Sequence, residues 1–167
     1  MSELSFHQID LESWEPGNYR EIAILRYSSD ELDEKHGVVF NEDFEDGLGQ
    51  IKVAGFRTSK DKQFSLVHYL WAPAPYNHMT YVISLWEADS LTGDLEDILE
   101  VLNCGIEDLA WIEPTISFQK YEVWRQDDHG NRFLVEIAAS RADAKIILRK
   151  YELIPHKQTY WLERHKG

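Results

Sequence analysis

Carboxylates form the densest group of chemically active side chains in this 167-residue chain. Eight of them lie within seventeen residues, with one lysine between them: Asp30, Glu31, Asp33, Glu34, Glu42, Asp43, Glu45 and Asp46. An EF-hand calcium loop with Gly47 at its sixth position needs oxygen ligands at positions 3 and 12, which here hold Phe44 and Val53. The spacing therefore argues against an EF-hand. It indicates solvated acidic segments, which either serve solubility or form a face for a basic partner.

Histidine and cysteine lack the spacing of a metal or catalytic site. His68 precedes a proline-rich connector (72–79) and His78 lies near its end, and no pair follows the His-x3–5-His or Cys-x2-Cys pattern of zinc sites. His68 is expected to be a core or sheet-face residue. Asp127-Asp128-His129 has the composition of an acid–base trio, but side chains in a turn point apart, and these aspartates are better suited to cap backbone N–H groups. Neither a Gly-x-Ser-x-Gly elbow nor a phosphate-binding glycine loop occurs. The sequence thus predicts no catalytic residue, no metal and no cofactor.

Charge divides the chain near Pro114. Residues 1–113 hold 23 Asp+Glu against 7 Lys+Arg, a formal −16, whereas residues 114–167 hold 7 against 10, a formal +3. We predict an acidic β-rich module over 1–113 and a second module over 114–167. The second is expected to dock on the first, because about 50 residues is near the lower limit for an independent core. An acidic surface repels nucleic acid and anionic membranes and attracts basic proteins, so a basic protein partner is expected.

Composition favours a folded cytoplasmic protein. Hydrophobic residues make up 43% of the chain and aromatic residues 13%, which is enough apolar surface for a core. The single cysteine, Cys104, cannot form an internal disulfide and fits a reducing compartment. The first residues lack the pattern of a signal peptide, and no apolar run approaches the roughly 18–20 residues of a membrane span. The composition leaves the oligomeric state open.

Apolar and aromatic runs predict strands in the first module, at 21–27, 37–40, 51–58, 64–71 and 80–86. The acidic run at 28–35 indicates an exposed loop or one helical turn, and 41–49 indicates a second acidic loop. The connector 72–79 is expected to be stiff and extended because of its prolines. The clearest helix spans 90–104, since Leu95, Ile98, Leu99 and Leu102 share one face. Residues 106–116 are expected to cross to the second module.

The second module has a simple predicted order of strand, turn, strand, helix and strand. The strands are predicted at 118–126, 132–138 and 157–163, and Ser140 is predicted to cap the helix. Arg141, Lys145 and Arg149 form a basic stripe on this helix. An anion or nucleic-acid contact, an ordinary solvated face and pairing with the acidic first segment are the three interpretations, of which we favour the solvated face. The predicted fold is α+β with a mainly antiparallel sheet.

The stretch YEVWRQDDHGNRFLVEIAASRADAKIILRKYELIPHKQTYWLER contains the distinctive run RQDD-x-GNRF at 125–133. It resembles small bacterial proteins described as SPOR-like, after the small peptidoglycan-binding module. The resemblance covers about residues 120–167. It implies the same strand, helix and strand order and no established activity, so no site residue is carried over from it.

The leading functional hypothesis is a non-enzymatic binding protein, such as an immunity or inhibitor protein that covers the positive surface of a nuclease toxin. The expected contacts are the acidic segments at 30–34 and 42–46, with Tyr76 and His78 of the connector. The alternative is a small enzyme or a ligand- or glycan-binding protein with a site between the modules. Its residues would be His68, Trp71, His78, Trp124 and Arg125. A further alternative is an accessory protein whose second module binds glycan or peptide.

Overall fold

The computed structural model describes residues 6–10, 13, 16–85, 87, 89–155 and 157–167. Within these residues the α+β class is confirmed, with ten strands, three α-helices and antiparallel strand pairs throughout. The strands are β1 (Phe6–Ile9), β2 (Tyr19–Leu25), β3 (Asn41–Glu45), β4 (Gly49–Thr58), β5 (Gln63–Tyr69), β6 (Thr80–Leu85), β7 (Leu109–Ile112), β8 (Tyr121–Gln126), β9 (Arg132–Ala138) and β10 (Thr159–Arg164). The helices are α1 (Ser29–His36), α2 (Leu91–Val101) and α3 (Arg141–Glu152).

The chain groups into two compact units, and helix α2 contributes to both. The first unit contains the described residues up to Leu95 together with Asp108–Ile116, and the second contains Glu96–Glu107 and Ser117–Gly167. Residues 96–107 bring four carboxylates to the second unit, so that its formal charge is −1, from 11 acidic and 10 basic residues. Counted over the whole sequence, the segments 1–95 and 108–116 of the first unit hold 19 acidic against 7 basic residues, a formal −12. The acidity of the chain is therefore concentrated in the first unit.

The first unit is built on a seven-stranded sheet in the order β1-β4-β5-β6-β2-β7, with β3 beside one end of β4. Its central strands are buried because their apolar side chains are packed on both faces. Leu66 and Val82 are inaccessible to solvent, and the rings of Phe56 and Phe64 stack at 5.1 Å. Leu32 of α1 is also fully buried. These residues form a hydrophobic core of the kind that stabilises a sheet with a helix on one side.

Helix α1 corrects the prediction of a loop or single turn at 28–35. Ser28 accepts a hydrogen bond from the Glu31 backbone N–H, and Glu31 accepts one from the Ser28 N–H, which forms a capping box. Gly37 ends the helix with a left-handed backbone. Leu32 is the one apolar side chain in this run, so a periodic pattern is absent from the sequence. The caps and the burial of Leu32 are what make these residues helical.

Three further predictions in the first unit were wrong. Residues 37–40 are not a strand, and the strand β3 lies instead in the acidic run that was expected to be a loop. The connector 72–79 is not extended, because it contains turns and a 3-10 helix at Tyr76–His78. The crossing segment, for which the sequence predicted no secondary structure, contains a strand, β7, which pairs with β2. Trp86, predicted to end a strand, lies outside the described residues.

The second unit contains a three-stranded sheet in the order β10-β8-β9, and α3 packs on one face of it. Val123, Ala138 and Ala144 form a buried cluster between the sheet and α3, against which the partly buried side chains Tyr121, Val135, Ile147 and Leu162 pack. Ser140 accepts a hydrogen bond from the Asp143 N–H at 3.1 Å, as expected for the N-cap of α3. The predicted order of strands and helix in this segment is confirmed.

Among the residues that the structure describes, no helix combines the length and the apolar character needed to cross a membrane.

We predict that Leu66→Ala lowers the free energy of unfolding by about 3 kcal/mol, because Leu66 is fully buried and its truncation leaves a cavity in the sheet. The matched control is Leu48→Ala, since Leu48 is 54% exposed. Urea unfolding followed by tryptophan fluorescence measures both variants. A similar loss of stability in both would contradict this description of the core.

Candidate functional site

The two acidic segments of the first unit meet at Lys52. The Asp30 carboxylate of α1 lies 2.7 Å from the Lys52 Nζ, and this hydrogen bond and ion pair lower the pKa of Asp30. Glu42 of β3 lies directly opposite Lys52 in the antiparallel pair of β3 and β4. Directly opposed residues share a face of the sheet, so Glu42 lies on the face that carries α1. Lys52 thereby joins helix and strand into one acidic surface.

Strand alternation divides the acidic residues of β3 between the two faces of the sheet. Glu42 shares the face of α1, and Asp43 and Glu45 alternate with it to the other face. Asp46 follows in the turn to β4. The eight carboxylates expected to act together therefore do not form one continuous patch. We define the α1–β3 surface as the part on the helix side: Asp30, Glu31, Asp33, Glu34 and Glu42.

Within the α1–β3 surface, the carboxylates differ in their freedom to bind a partner. Asp30 is paired with Lys52, and Glu31 is held in the capping box, where the Ser28 N–H and hydroxyl lower its pKa. Asp33, Glu34 and Glu42 are exposed. These three side chains are therefore the best placed to receive a basic group from outside.

Exposed apolar side chains flank the same segment, and the sequence analysis did not identify them. Phe44 is 70% exposed in β3, while Val39 precedes the strand and Leu48 follows it, also exposed. β3 pairs with β4 alone among the described strands, so it is an edge of the sheet. The sequence indicated this exposed side chain in one way: Phe44 is a single phenylalanine among five acidic or polar neighbours. If such a segment is an exposed edge strand, its phenylalanine has no core to enter.

The connector comes close to α1 at Asn77 and His78. Tyr76 is 43% exposed, and the charge of His78 contributes to the lowered pKa of Glu31 after the hydrogen bonds from Ser28. His68 connects the two segments: its Nδ1 lies 2.8 Å from the Ser29 hydroxyl and its Nε2 lies 2.7 Å from the Asn77 carbonyl oxygen. His68 is buried in the sheet face, as predicted, and both ring nitrogens are engaged within the protein.

A pocket opens on the other face of the sheet. It has a volume of about 470 Å³ and is lined by Tyr19, Arg20, Glu21, Tyr69 and Ile83. Partial burial and the Glu45 carboxylate raise the pKa of Glu21. Burial, followed by the charges of Glu21 and Glu45, raises the pKa of Tyr69 to about 12. Glu45 was among the predicted site residues, but Glu21 and Tyr69 were not, because they lie in runs that resemble ordinary strands.

The basic stripe of α3 is paired inside the second unit, so the favoured prediction of a solvated face was wrong. Arg141 forms ion pairs with Asp97 and with Glu100, the latter at 3.1 Å, and its backbone N–H donates to Glu96 at 2.9 Å. Burial opposes the charge of Arg141, but these carboxylates outweigh it and raise its pKa. Lys145 lies 3.8 Å from Glu100.

Arg149 completes the stripe by donating to Asn103 at 2.8 Å and to the Glu100 carbonyl oxygen. The third interpretation of the stripe was pairing with the acidic module predicted over residues 1–113. The contacts of the stripe with residues 97, 100 and 103 of that stretch confirm it. Three carboxylates of α2 that take part in these contacts are buried: Glu96, Asp97 and Glu100. The stripe is therefore engaged with the protein's own carboxylates.

Trp124 and Arg125 lie in the second unit and are each held by local partners. The Trp124 indole N–H donates to Glu122 at 2.8 Å, and Arg132 lies over the Trp124 ring at 5.3 Å. Arg125 lies over the Phe133 ring at 4.9 Å and donates to Gln158. Trp71, the aromatic residue proposed with them, belongs to the first unit, where it contacts Tyr69.

Asp127 has the capping role predicted for the turn between β8 and β9. Its Oδ1 accepts from the N–H groups of His129 and Asn131, both at 2.9 Å, and its Oδ2 accepts from the Asn131 amide. The Asn131 contacts lower the pKa of Asp127. A carboxylate used in this way stabilises the turn and is poorly placed to act as a base.

Cys104 is buried. Among the described residues, no group of three or more His, Cys, Asp or Glu side chains has an arrangement that could hold a metal ion. Comparison of the chain with protein-family models, curated proteins and solved structures gives no match. The resemblance of residues 120–167 to SPOR-like proteins therefore stays a prediction.

We predict that Arg141→Ala lowers the free energy of unfolding by about 3 kcal/mol, because it leaves Asp97 and Glu100 buried without their main cation. Arg164→Ala is the matched control, since Arg164 is exposed, and we expect a change within about 0.5 kcal/mol. Urea unfolding measures both. Equal losses of stability in the two variants would show that the ion pairs of Arg141 contribute no more than an exposed arginine does.

Glu21→Gln is predicted to stabilise the protein at pH 7. The raised pKa of Glu21 means that the folded state disfavours its ionised form, so the unfolded chain loses this proton at lower pH. The cost is fully present above the folded-state pKa and disappears as the pH falls below the ordinary value of 4.5. Thermal unfolding at pH 7 and pH 4 checks this, with Glu34→Gln as control. An advantage of Glu21→Gln that is equal at both pH values would contradict it.

Proposed function

We propose that this protein is a non-enzymatic binding protein whose first unit receives the basic surface of another protein. The observation that carries the proposal is the α1–β3 surface, where a helix and a strand joined through Lys52 present exposed carboxylates on a unit of formal charge −12. Opposite charges across an interface speed encounter and select the partner. The α1–β3 surface supplies such a field on one side of the sheet.

The exposed apolar residues beside the α1–β3 surface support the same proposal. Charges at the rim of an interface contribute more to association rate than to affinity, whereas affinity comes mainly from a few desolvated apolar anchors. Phe44, Val39 and Leu48 are exposed and flank the acidic strand. Together they provide the anchor chemistry that an acidic surface by itself lacks.

The most concrete form of the proposal is an immunity or inhibitor protein for a basic enzyme such as a nuclease toxin. A nuclease needs a positive surface to hold the phosphates of its substrate. An acidic protein with apolar anchors can cover that surface and exclude the substrate. A cytoplasmic location, where such an enzyme would damage its host, belongs to this proposal.

Glycan or peptide binding by the second unit is the second candidate, and one observation favours it. Arg132 lies 5.3 Å and 4.9 Å from the ring centres of Trp124 and Trp161, on the face of the sheet that alternates away from the α3 core. However, the two indole N–H groups already donate to Glu122 and Glu163. Because these polar groups are satisfied within the unit, we favour the protein-binding function.

The test compares two triple variants that carry the same net charge. The first, Asp33→Asn/Glu34→Gln/Glu42→Gln, neutralises the α1–β3 surface, and the control, Asp128→Asn/Glu136→Gln/Glu152→Gln, neutralises three exposed carboxylates of the second unit. The partner is the basic protein captured from a lysate of the source organism at about 50 mM salt and released at about 300 mM. Its affinity for each purified variant is then measured by calorimetry.

We expect the first triple variant to bind the partner about 10-fold more weakly at low salt, because each lost charge removes part of the attraction across the interface. We expect the control variant to change the affinity by less than about 2-fold, since rim and remote charges contribute little. Equal weakening by both variants would mean that only net charge matters. No weakening by either would reject the α1–β3 surface as the binding site.

A further inference from the structure

The pocket on the face opposite α1 is built by three neighbouring strands of the first unit. Glu21 of β2 lies directly opposite Ile83 of β6, and Tyr69 of β5 follows His68, whose side chain points to α1. Successive side chains alternate between faces, so Tyr69 points away from α1. The volume of about 470 Å³ is within the range of small-molecule and side-chain pockets, roughly 300–1,000 Å³.

An aromatic cluster adjoins this pocket through Tyr69, which is one of its lining residues. Tyr69 and Tyr81 pack edge to face, with ring centres 4.9 Å apart and planes at 79°, and Tyr69 also contacts Trp71 at 5.5 Å. Trp71 in turn packs over Gly49, where a Cβ would lie 2.9 Å from the tryptophan side chain. Gly49 is therefore needed for the tryptophan to lie there, next to the strand that carries Glu45.

Two carboxylates act on Tyr69, namely Glu21 in the pocket lining and Glu45 nearby, and both are incompletely compensated. Burial and the nearby Glu45 carboxylate disfavour the ionised form of Glu21. The Glu45 Oε2 atom is buried and has no hydrogen-bond partner among the described residues. Arg20 also lines the pocket, but it does not cancel these two effects on Glu21. A buried carboxylate oxygen without a donor is costly, and a bound cation would supply the donor and reduce the repulsion.

We propose that this pocket binds the guanidinium group of an arginine side chain presented by the partner protein. The inference rests on the proposed function and deepens it, because it names the chemistry of one contact. A guanidinium donates to carboxylates through several N–H groups and stacks on aromatic rings, so it matches both Glu21 with Glu45 and the tyrosine rings. A metal ion fits less well, since the described residues contain no cluster of three metal-binding side chains.

The test uses N-acetyl-arginine amide as the probe and N-acetyl-citrulline amide as its neutral counterpart of the same shape. NMR spectra of the full-length protein are recorded during titration with each probe. We expect saturable shifts at Tyr69 and Trp71 with the arginine probe and at least about 10-fold weaker binding of the citrulline probe, because the charged hydrogen bonds are lost. No saturable shift, or equal binding of the two probes, would overturn the proposal.

Glu21→Gln and Glu45→Gln are each expected to weaken arginine-probe binding about 10-fold, with Glu152→Gln, an exposed carboxylate of the second unit, as the unchanged control. Retention of the fold is checked in the same spectra. A purely structural role of Glu21 would weaken binding through loss of stability. Here, instead, Glu21→Gln is expected to weaken binding while raising the unfolding temperature at pH 7. Full binding by both pocket variants would overturn the proposal.

Failure of this inference and failure of the proposed function give different results with the purified basic partner. If Glu21→Gln and Glu45→Gln bind the partner normally while the α1–β3 triple variant does not, the arginine pocket is rejected and the proposed function stands. If the arginine probe binds the pocket but neither the pocket variants nor the triple variant alters partner affinity, the proposed function is rejected.

Discussion

The alternation of side chains across the antiparallel sheet of the first unit is the constraint on which the other features depend. It places Lys52 and Glu42 on the face of α1 and sends Glu45 and Tyr69 to the opposite face. A shift of β3 by one residue would exchange the faces of Glu42 and Glu45. The sheet thus makes two chemically different surfaces from one acidic segment: exposed carboxylates beside α1, and a pocket with aromatic rings and carboxylates on the other side.

The two units also differ in how far their charged side chains are compensated. In the second unit the cations of α3 are satisfied by carboxylates of α2, and its net charge is close to zero. Such buried pairing is weak support for stability, because desolvation offsets much of the attraction, but breaking it is costly. The first unit has no comparable supply of cations. Its excess charge remains available for a partner, and it also destabilises the unit through repulsion between carboxylates.

Periodic apolar patterns allowed much of the fold to be predicted. The strands β4, β5 and β6, the helices α2 and α3, and the α+β class follow from runs in which burial determines the residue type. Helix α1 and strand β3 could not be predicted in this way, since caps and an edge pairing hold them. The pocket was missed for a further reason. Glu21 and Tyr69 are 48 residues apart in the sequence, and only the strand order brings them together.

Hydrogen–deuterium exchange of the protein with and without the captured basic partner locates the binding surface. We expect slower exchange on binding in α1, in β3 and in residues 39–48, with little change in the three-stranded sheet of the second unit. Protection in β5 and β2 around Tyr69 would accompany it if an arginine enters the pocket. Protection confined to β8, β9 and β10 would contradict the account, because it would place the partner on the second unit.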